Sequence, residues 1–451
     1  MRILGIGDYG DLGDLYLDLL AAGHEVRMFI ADPAYHAVGA GLVPRSAHWR
    51  QELPWVRDAG ADGIIVCETA HQGREQDALR RQGFQVIGGC SWGDRLEQDR
   101  AYAQAVLHGL GLPTARSWRF DSFARARDFI RGRPGRYVCK HNGALLPATH
   151  TYIGMQPDGA DVLAVLARHE RQHTAAAPPD FVLMDHLDGI ETGVGAYFDG
   201  RRFVGPACLD WEHKRFFTGD LGELTGEMGT VVTYRGAERL FAVTLARLAP
   251  QLAAAGYCGY LNLNTMINAD GVWPLEFTCR FGYPGFAILA ALHPHGWEPV
   301  LRALCGQGAS FATTDGFAVG VVLTTPPFPY AASDGSSPQG LPISVRGALS
   351  TAERRHLHLG EVMLDAGDLA VSGPSGYVLV ASGCGADIAS ARTAAYGLLA
   401  RVAVPLGRYR TDIGLRLLDG EAAMLTRLGY VPSMPALPSM ASGPLSDSAS
   451  R

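Results

Sequence analysis

The stretch that decides the fold is Pro274-Leu-Glu-Phe-Thr-Cys-Arg280-Phe-Gly282, a strand-like segment that carries a carboxylate at Glu276 and a guanidinium at Arg280. Upstream, Tyr137-Val-Cys-Lys140 is an apolar strand ending in lysine, and Met184-Asp-His-Leu-Asp-Gly-Ile-Glu191 is a second strand leading into acidic residues. His213-Lys214-Arg215 and Thr225-Gly-Glu-Met-Gly229 lie between these and the deciding strand. In this order the segments supply what a Mg-ATP site requires. Lys140 can neutralise α- and β-phosphate oxygens, an acid beyond the second strand can hydrogen-bond ribose hydroxyls, and Glu276 can hold Mg²⁺ between phosphates. Arg280 can brace the anion that develops as a γ-phosphate moves to a carboxylate. Each piece alone is ordinary, since a strand-end lysine is usually a solvated charge and Glu276 with Arg280 also fits a structural ion pair. The order and spacing carry the reading.

The chain around this stretch has 451 residues, enough for about three domains of roughly 150 residues each. Hydrophobic residues make up 47% and charged residues 19%, which excludes a chain disordered throughout. Lys+Arg number 39 against 45 Asp+Glu, so the formal net charge of -6 has the wrong sign for a broad nucleic-acid-binding face. No nucleic-acid polymer is expected as a partner, and an anionic substrate must be held locally. The 8 cysteines are scattered singly with no C-x-x-C pair, which suggests neither a zinc ribbon nor a disulfide framework and fits a reducing compartment. Met1-Arg-Ile-Leu-Gly-Ile-Gly7 leaves no room for a signal-peptide core, and no apolar run approaches the ~18 residues of a membrane span. A cytoplasmic protein with no membrane partner is expected.

Hydrophobic periodicity organises the rest. Residues 2–7 read as a strand, 10–22 as a helix and 25–30 as a strand. Gly60–Gly89 repeats the scheme, with a strand at 63–67, a polar helix at about 72–82 and a strand at 84–87. Together they predict an open parallel sheet. A charged helix is expected from about Leu96 to Gly109, broken by Gly-Leu-Gly-Leu-Pro at 109–113. Residues 114–190 read as a small α/β module with strands at 137–140 and 181–184 and a helix at 160–172; residues 190–325 read as a larger body alternating strands and helices. Ser333–Pro342 has linker composition, 343–418 is strand-rich with one helix near 387–402, and Ser433–Arg451 has the composition of a disordered tail. The expected divisions are 1–95, 96–335 with a small lid at about 116–190, and 343–418.

Gly5, Gly7 and Gly10 form G-x-G-x-x-G between strand and helix, with Asp32 after the second strand, so a dinucleotide site has to be weighed. Asp8, Asp11, Asp14 and Asp18 crowd the place where a pyrophosphate would sit and would repel it. Two other readings remain open: a tight turn with helix-capping aspartates, or an acidic loop that receives a cationic amine.

Taken in order, the motifs resemble the glycinamide ribonucleotide synthetase (phosphoribosylamine–glycine ligase) family of ATP-grasp enzymes over roughly residues 90–415. The resemblance runs through Leu96-Glu97, Leu112-Pro-Thr-Ala115, Val138-Cys-Lys140-His-Asn-Gly143 and Leu187-Asp-Gly189 with Glu191. It continues through Glu212-His-Lys-Arg215, Thr225-Gly-Glu-Met-Gly229, Glu276-Phe-Thr-Cys-Arg-Phe-Gly-Tyr-Pro-Gly285, His358-Leu-Gly-Glu361 and Tyr409–Gly414. It implies an α/β chain of ATP-grasp fold, with an N-terminal open parallel-sheet domain, a central ATP-grasp unit with a lid, and a C-terminal strand-rich domain. The implied cofactors are ATP and Mg²⁺, and the implied partners are a small-molecule carboxylate and an amine. The implied chemistry is an ADP-forming amide ligation through an acyl phosphate. Carried onto this sequence, the pattern puts catalysis on Lys214, Arg215 and Arg280, and nucleotide binding on Lys140, Met184, Asp185, Leu187 and Glu191. It puts metal binding on Glu276 with Asn264 or Thr278. Substrate contacts fall to Asp8, Asp11, Gly226, Glu227, Met228, Gly229 and Tyr283.

The departures point to a different substrate. The family's cationic N-terminal loop is Gly7-Asp-Tyr-Gly10 here, its later loop is Cys67-Glu-Thr-Ala-His-Gln-Gly73, and a further arginine is replaced in Ser375-Gly-Tyr-Val-Leu379. These changes remove positive charge from regions that in the family face the phosphoribosyl group, so an amine other than phosphoribosylamine is expected. The family's metal-site asparagine is Thr278 here, with Asn264 on the neighbouring strand able to replace it, and the lid loop becomes Gly143-Ala-Leu-Leu-Pro-Ala-Thr149. The remaining alternatives are the authentic purine-pathway ligase, a non-catalytic ATP binder and an NAD(P) oxidoreductase.

Overall fold

The computed structural model describes residues 1–141, 151–173, 179–308, 310–330 and 337–431. The expected N-terminal parallel sheet forms with strands in the order Glu25–Ile30, Arg2–Gly7, Gly63–Cys67 and Gln85–Ile87. Gly63–Cys67 is buried at every position, as a strand covered on both faces must be. Its Ile64 and Val66 turn toward one core, its Ile65 and Cys67 toward another.

The first helix forms over Gly13–Ala21 and buries Leu15, Tyr16 and Leu19, but none of the aspartates is its N-cap: that position is Leu12, which makes no side-chain cap. The capping reading of the aspartates therefore fails, because each of three is engaged elsewhere. Asp8 Oδ2 lies 2.9 Å from His71 Nε2, Asp14 Oδ2 lies 2.7 Å from His358 Nδ1, and Asp18 accepts from the Trp297 amide at 2.8 Å. The glycines of the turn have a packing cause. A Cβ on Gly5 would lie 2.2 Å from the Tyr16 hydroxyl, and one on Gly7 would lie 2.2 Å from a Glu68 carboxylate oxygen. Tyr16 donates to Glu68 at 2.7 Å in the buried interior. Asp32 accepts from the Ala34 amide and opens a short 3-10 turn.

The single helix expected over 96–109 is two helices, Ser91–Gln98 and Arg100–Gly109. Asp99 separates them in an extended conformation and accepts from the Tyr102 amide at 3.0 Å, a side-chain cap that restarts the chain. Residues 117–185 then form a four-stranded antiparallel sheet, ordered Ser117–Phe120, Phe181–Asp185, Tyr137–His141 and Tyr152–Ile153. Helices Phe123–Gly132 and Ala160–Gln172 close a separate core around Phe123, Ile130, Leu166 and Phe181.

The alternation of strands and helices expected over 190–325 is instead dominated by one antiparallel sheet. Its order is Gly271–Thr278, Cys258–Asn268, Ile190–Asp199, Phe203–Glu212, Gly229–Thr233, Phe317–Thr324, Tyr377–Gly385 and Leu357–Leu359. Phe317–Thr324 is buried at every position. Val319 and Val321 pack in the core that includes helix Ile388–Leu399, whereas Ala318 and Val322 join the core of helices Gly285–Ala290 and Glu298–Leu304 and of Ile3 and Tyr16. The last two strands come from beyond the Ser333–Pro342 stretch, so chain on both sides of it shares a sheet; residues 333–336 lie outside the described residues, as does the tail 433–451. His358, on the outermost strand, bridges Asp14 and the Ser382 hydroxyl, the latter at 2.8 Å, and ties the C-terminal strands to the first helix. No helix among the described residues is long and apolar enough to cross a membrane.

Glu68 gives this packing a pH dependence. Burial, with repulsion from Asp11, pushes its carboxyl up to about 8 against the hydrogen bond from Tyr16. Between the ordinary carboxylate range and that value the folded chain keeps a proton that the unfolded chain has lost, so stability falls as pH rises through the window. Glu68→Gln retains an acceptor for Tyr16 and removes the ionisation. Its melting temperature should match the parent's near pH 4 and exceed it progressively toward pH 8, by roughly 2–4 °C per kcal/mol recovered. Calorimetric scans across that range check this, and a pH-independent difference would refute it.

Candidate active site

A cavity of about 630 Å³ lies between the four-stranded sheet and the eight-stranded one. Two strand ends and a turn of the smaller sheet bring Lys140, Met184, Asp185 and Leu187 to it, and the larger sheet brings Glu191 and Glu276. Val138, Met184, Leu187, Met266 and Leu275 supply apolar lining of the kind that accepts a flat ring. Asp185 is also bonded by Arg116 at 2.6 Å.

The polar end is a charge cluster centred on Lys214. Its ammonium lies 2.6 Å from Glu191 Oε1, 3.1 Å from Glu212 Oε2 and 3.3 Å from Glu276 Oε1. The three carboxylates come from three different strands. Glu276 is further approached by Arg100 at 3.4 Å and Lys140 at 3.7 Å. Lys140 and Lys214, helped by Arg100, hold the Glu276 carboxyl well below its usual range in spite of burial. Burial works against the Lys214 charge, yet Glu191, Glu212 and Glu276 raise its basicity well above the ordinary lysine value. Burial lowers that of Lys140, and Glu276 opposes the shift.

Asn264 pairs with Glu276 across adjacent strands, and Asn262 pairs with Thr278 one step along the same face. The Asn264 amide nitrogen donates to Glu212 at 3.0 Å, which commits its donor and leaves the carbonyl as an oxygen ligand. Glu276 and Asn264 are hard oxygen donors suited to Mg²⁺. Among the described residues there is no group of three or more His, Cys, Asp or Glu that could hold a metal ion. Mg²⁺ shared between substrate phosphates and one or two carboxylates needs none.

A second cavity, of about 180 Å³, adjoins the first through Glu212, Lys214, Gly226 and Glu276. Arg280, Thr278, Glu227 and Tyr283 line this smaller space. Arg280 Nε donates to Glu97 at 3.1 Å, and the other Glu97 oxygen accepts from the Cys279 amide at 2.7 Å, so the guanidinium is fixed in the wall of the smaller cavity. Burial opposes its charge, but Glu97 and Asp11 secure it. Asp11, raised by burial against the pull of Arg280, sits within electrostatic reach of Glu68 and Glu361.

Other expected residues fall elsewhere. Arg215 lies at the edge of the larger cavity, where its guanidinium donates to the Gly222 carbonyl at 2.6 Å and braces a hairpin. Met228 is completely buried and lines neither cavity. Gly229 begins a sheet strand, where a Cβ would meet the Gly320 carbonyl at 2.5 Å; its glycine is explained by strand packing, not substrate contact. The lid loop Gly143–Thr149 lies outside the described residues. Sequence reasoning missed Glu68, Arg100 and Asp210. Asp210 left a readable trace, since Cys208-Leu-Asp-Trp-Glu212 sets two carboxylates two residues apart on one face of an otherwise apolar strand.

Comparison with known proteins places these features in a lineage. Residues 98–286 match the family "Phosphoribosylglycinamide synthetase, ATP-grasp (A) domain". Over 384 residues the chain is 31% identical to the phosphoribosylamine–glycine ligase of Mycobacterium tuberculosis, spanning 82% of this chain and 86% of that one. The crystal structure of phosphoribosylamine–glycine ligase from Thermotoga maritima is similar with a TM-score of 0.67 at 24% identity, over 92% of this chain and 100% of that one. A biotin carboxylase from Campylobacter jejuni shares the fold with a TM-score of 0.60 at 11% identity, over 94% of this chain and 96% of that one.

The two lysines should separate on substitution. Lys140→Ala removes one cation from the larger cavity, and with Mg-ATP bound there the loss of a charge-assisted contact of ~1.5–3 kcal/mol corresponds to about 10- to 150-fold in affinity. Its melting temperature should stay near the parent's. Lys214→Met removes the cation that Glu191, Glu212 and Glu276 share, of which Glu276 alone keeps Lys140 and Arg100, and should instead lower the melting temperature markedly. Calorimetric titration with Mg-ATP and thermal melts on both variants check the contrast; unchanged ATP affinity in Lys140→Ala would refute the nucleotide site.

Proposed function

The chain belongs to the phosphoribosylamine–glycine ligase family of ATP-grasp enzymes, ADP-forming carbon–nitrogen ligases, and from that premise we propose that it joins a small carboxylic acid to a cationic amine other than phosphoribosylamine. The observation that carries this reading is that Asp11, within electrostatic reach of Arg280, is also near enough to raise the carboxyls of Glu68 and Glu361, where the family's pattern would call for cations facing a phosphate. Burial pushes the Glu361 carboxyl up to about 7, with Asp11 adding to the shift. A phosphate monoester carries between one and two negative charges near neutral pH, and each close pair with a carboxylate costs about 1 kcal/mol even at water's dielectric. An ammonium group would relieve the same crowding.

In this reading ATP lies in the larger cavity, its ring on Met184 and Leu187 and its phosphates toward Lys140. Glu276 and Asn264 would hold Mg²⁺, with Thr278 farther along the same face. Bound there, Mg²⁺ neutralises charge on the phosphate oxygens. Arg280, aimed by Glu97, holds the carboxylate of the acid in the smaller cavity while its oxygen takes the γ-phosphoryl group and ADP departs. The bound ammonium first gives up a proton, its freed nitrogen lone pair attacks the acyl carbon, phosphate leaves, and the nitrogen then gives up a second proton to leave the amide. Glu361 and Glu68, shifted to about 7 and about 8, are carboxylates that exchange a proton near neutral pH.

The 31% identity to a phosphoribosylamine–glycine ligase favours one rival, ligation of phosphoribosylamine itself. Two assays decide. Hydroxylamine offered as a general acceptor, with candidate carboxylic acids and Mg-ATP, should yield a hydroxamate with ADP; AMP and pyrophosphate would refute the acyl phosphate. Phosphoribosylamine generated in situ with glycine and Mg-ATP should yield no saturable formation of glycinamide ribonucleotide. Efficient formation would promote the rival.

A further inference from the structure

One side chain from near the end of the chain enters the wall of the larger cavity. Arg416 lines that cavity, although the match to the ATP-grasp domain stops at residue 286. A buried arginine sets its route. Arg410, 1% exposed, closes a fork on Asp412 at 2.8 and 2.7 Å, and donates to Asp220 at 2.8 Å and to the Arg215 carbonyl at 2.9 Å. Asp412 in turn accepts from the Gly219 amide at 2.9 Å, and the Gly414 amide donates to His213 Nε2 at 3.1 Å. Residues 410–414 are thereby stapled to the hairpin at 215–224 and to His213 before it. Arg416 follows two positions on, with Ile413 and Leu417 buried on either side of it in the chain.

Only part of the Arg416 guanidinium is used. Nη2 donates to the Glu212 main-chain carbonyl at 2.6 Å, and Nε lies 3.3 Å from Glu421 Oε2. Nη1 stands 3.9 Å from Asp220 Oδ2, beyond hydrogen-bond reach, and makes no hydrogen bond among the described residues. Its N–H groups are available to an anion in the cavity, and a guanidinium bound to a phosphate oxygen is among the stronger polar contacts.

Its place along the cavity decides which anion. Met184 and Leu187 belong to the apolar lining, and the Lys214 cluster, which includes the Glu212 carboxylate, marks the polar end. Arg416 is anchored on the main chain of Glu212 and therefore stands at the polar end. A nucleotide whose ring lies on Met184 and Leu187 brings its last phosphate to that end.

We propose that Arg416 contacts the terminal phosphate of bound ATP and makes this chain favour ATP over ADP. One nitrogen holds the strand while another meets the phosphate, and Asp220 is too distant to compete for it. The contact is made with ATP, is absent with ADP, and leaves the nucleotide once the phosphoryl group has moved to the acid. The inference rests on the reading that puts ATP in the larger cavity, and comparing two nucleotides lets the two fail separately.

Calorimetric titrations of the full chain with Mg²⁺ compare ADP with a non-hydrolysable ATP analogue that keeps the third phosphate, in the parent, Arg416→Gln and Arg416→Lys. The readout is the ratio of the two affinities, which a general loosening of the fold would leave unchanged. The ratio should favour the analogue in the parent and fall by about 10-fold or more in Arg416→Gln, the loss of one charge-assisted contact, with ADP affinity close to the parent's. It should fall in Arg416→Lys as well, because a single ammonium cannot hold the Glu212 carbonyl and reach a phosphate together. That variant decides the matter where Arg416→Gln melts too low to titrate. A parent that binds ADP as tightly as the analogue, or a ratio unchanged in the variants, would overturn the contact and leave the nucleotide site in place. A parent that binds neither nucleotide would overturn the site, and this contact with it.

Discussion

The Lys214 ammonium is the interaction on which the site depends. Glu191, Glu212 and Glu276 arrive on separate strands of one sheet, and three carboxylates this close could not all stay ionised without a shared cation. One lysine makes their coexistence possible. It also stands at the wall between the two cavities, so the charge that holds the sheet face together separates the space suited to a nucleotide from the space suited to an acid. Lys140 and Arg100 add to it, leaving the Glu276 carboxylate ionised and available.

The second constraint is the eight-stranded sheet itself. Its strands bury alternate residues in two different cores, and Phe317–Thr324 is buried throughout because both faces are covered. Where the edge half of the sheet leaves the core, the same alternation brings polar residues to one face: Glu276 and Thr278, Asn262 and Asn264, Asp210 and Glu212. Glycines at 193 and 195 clear the space between them. The site is thus one face of a sheet whose opposite face builds the core.

The N-terminal sheet meets this face with carboxylates. Asp14 is committed to His358 and Asp18 to the Trp297 amide, contacts that fasten the first helix to later segments. Asp11 has Arg280 for a counter-charge and Glu68 for a repelling neighbour. Four similar residues in one short segment therefore do different work, depending on what the fold brings against each.

The sequence by itself determined the lineage, the parallel N-terminal sheet and several of the residues that line the larger cavity, because strand patterns are local and Lys140, Glu191, Lys214 and Glu276 each end or punctuate one. It could not show that 190–325 and 377–385 share an antiparallel sheet, since pairing between distant strands leaves no local periodicity. Asp99 dividing a helix in two was hidden for a different reason: a capping aspartate looks like any other surface acid. Met228 and Gly229 sat in a motif that suggested substrate, and only packing against Gly320 and the core revealed them as structural. The contact between Arg416 and the Glu212 carbonyl, 204 positions apart, is visible only in three dimensions, because which strand a distant side chain meets depends on the pairing of every strand between them.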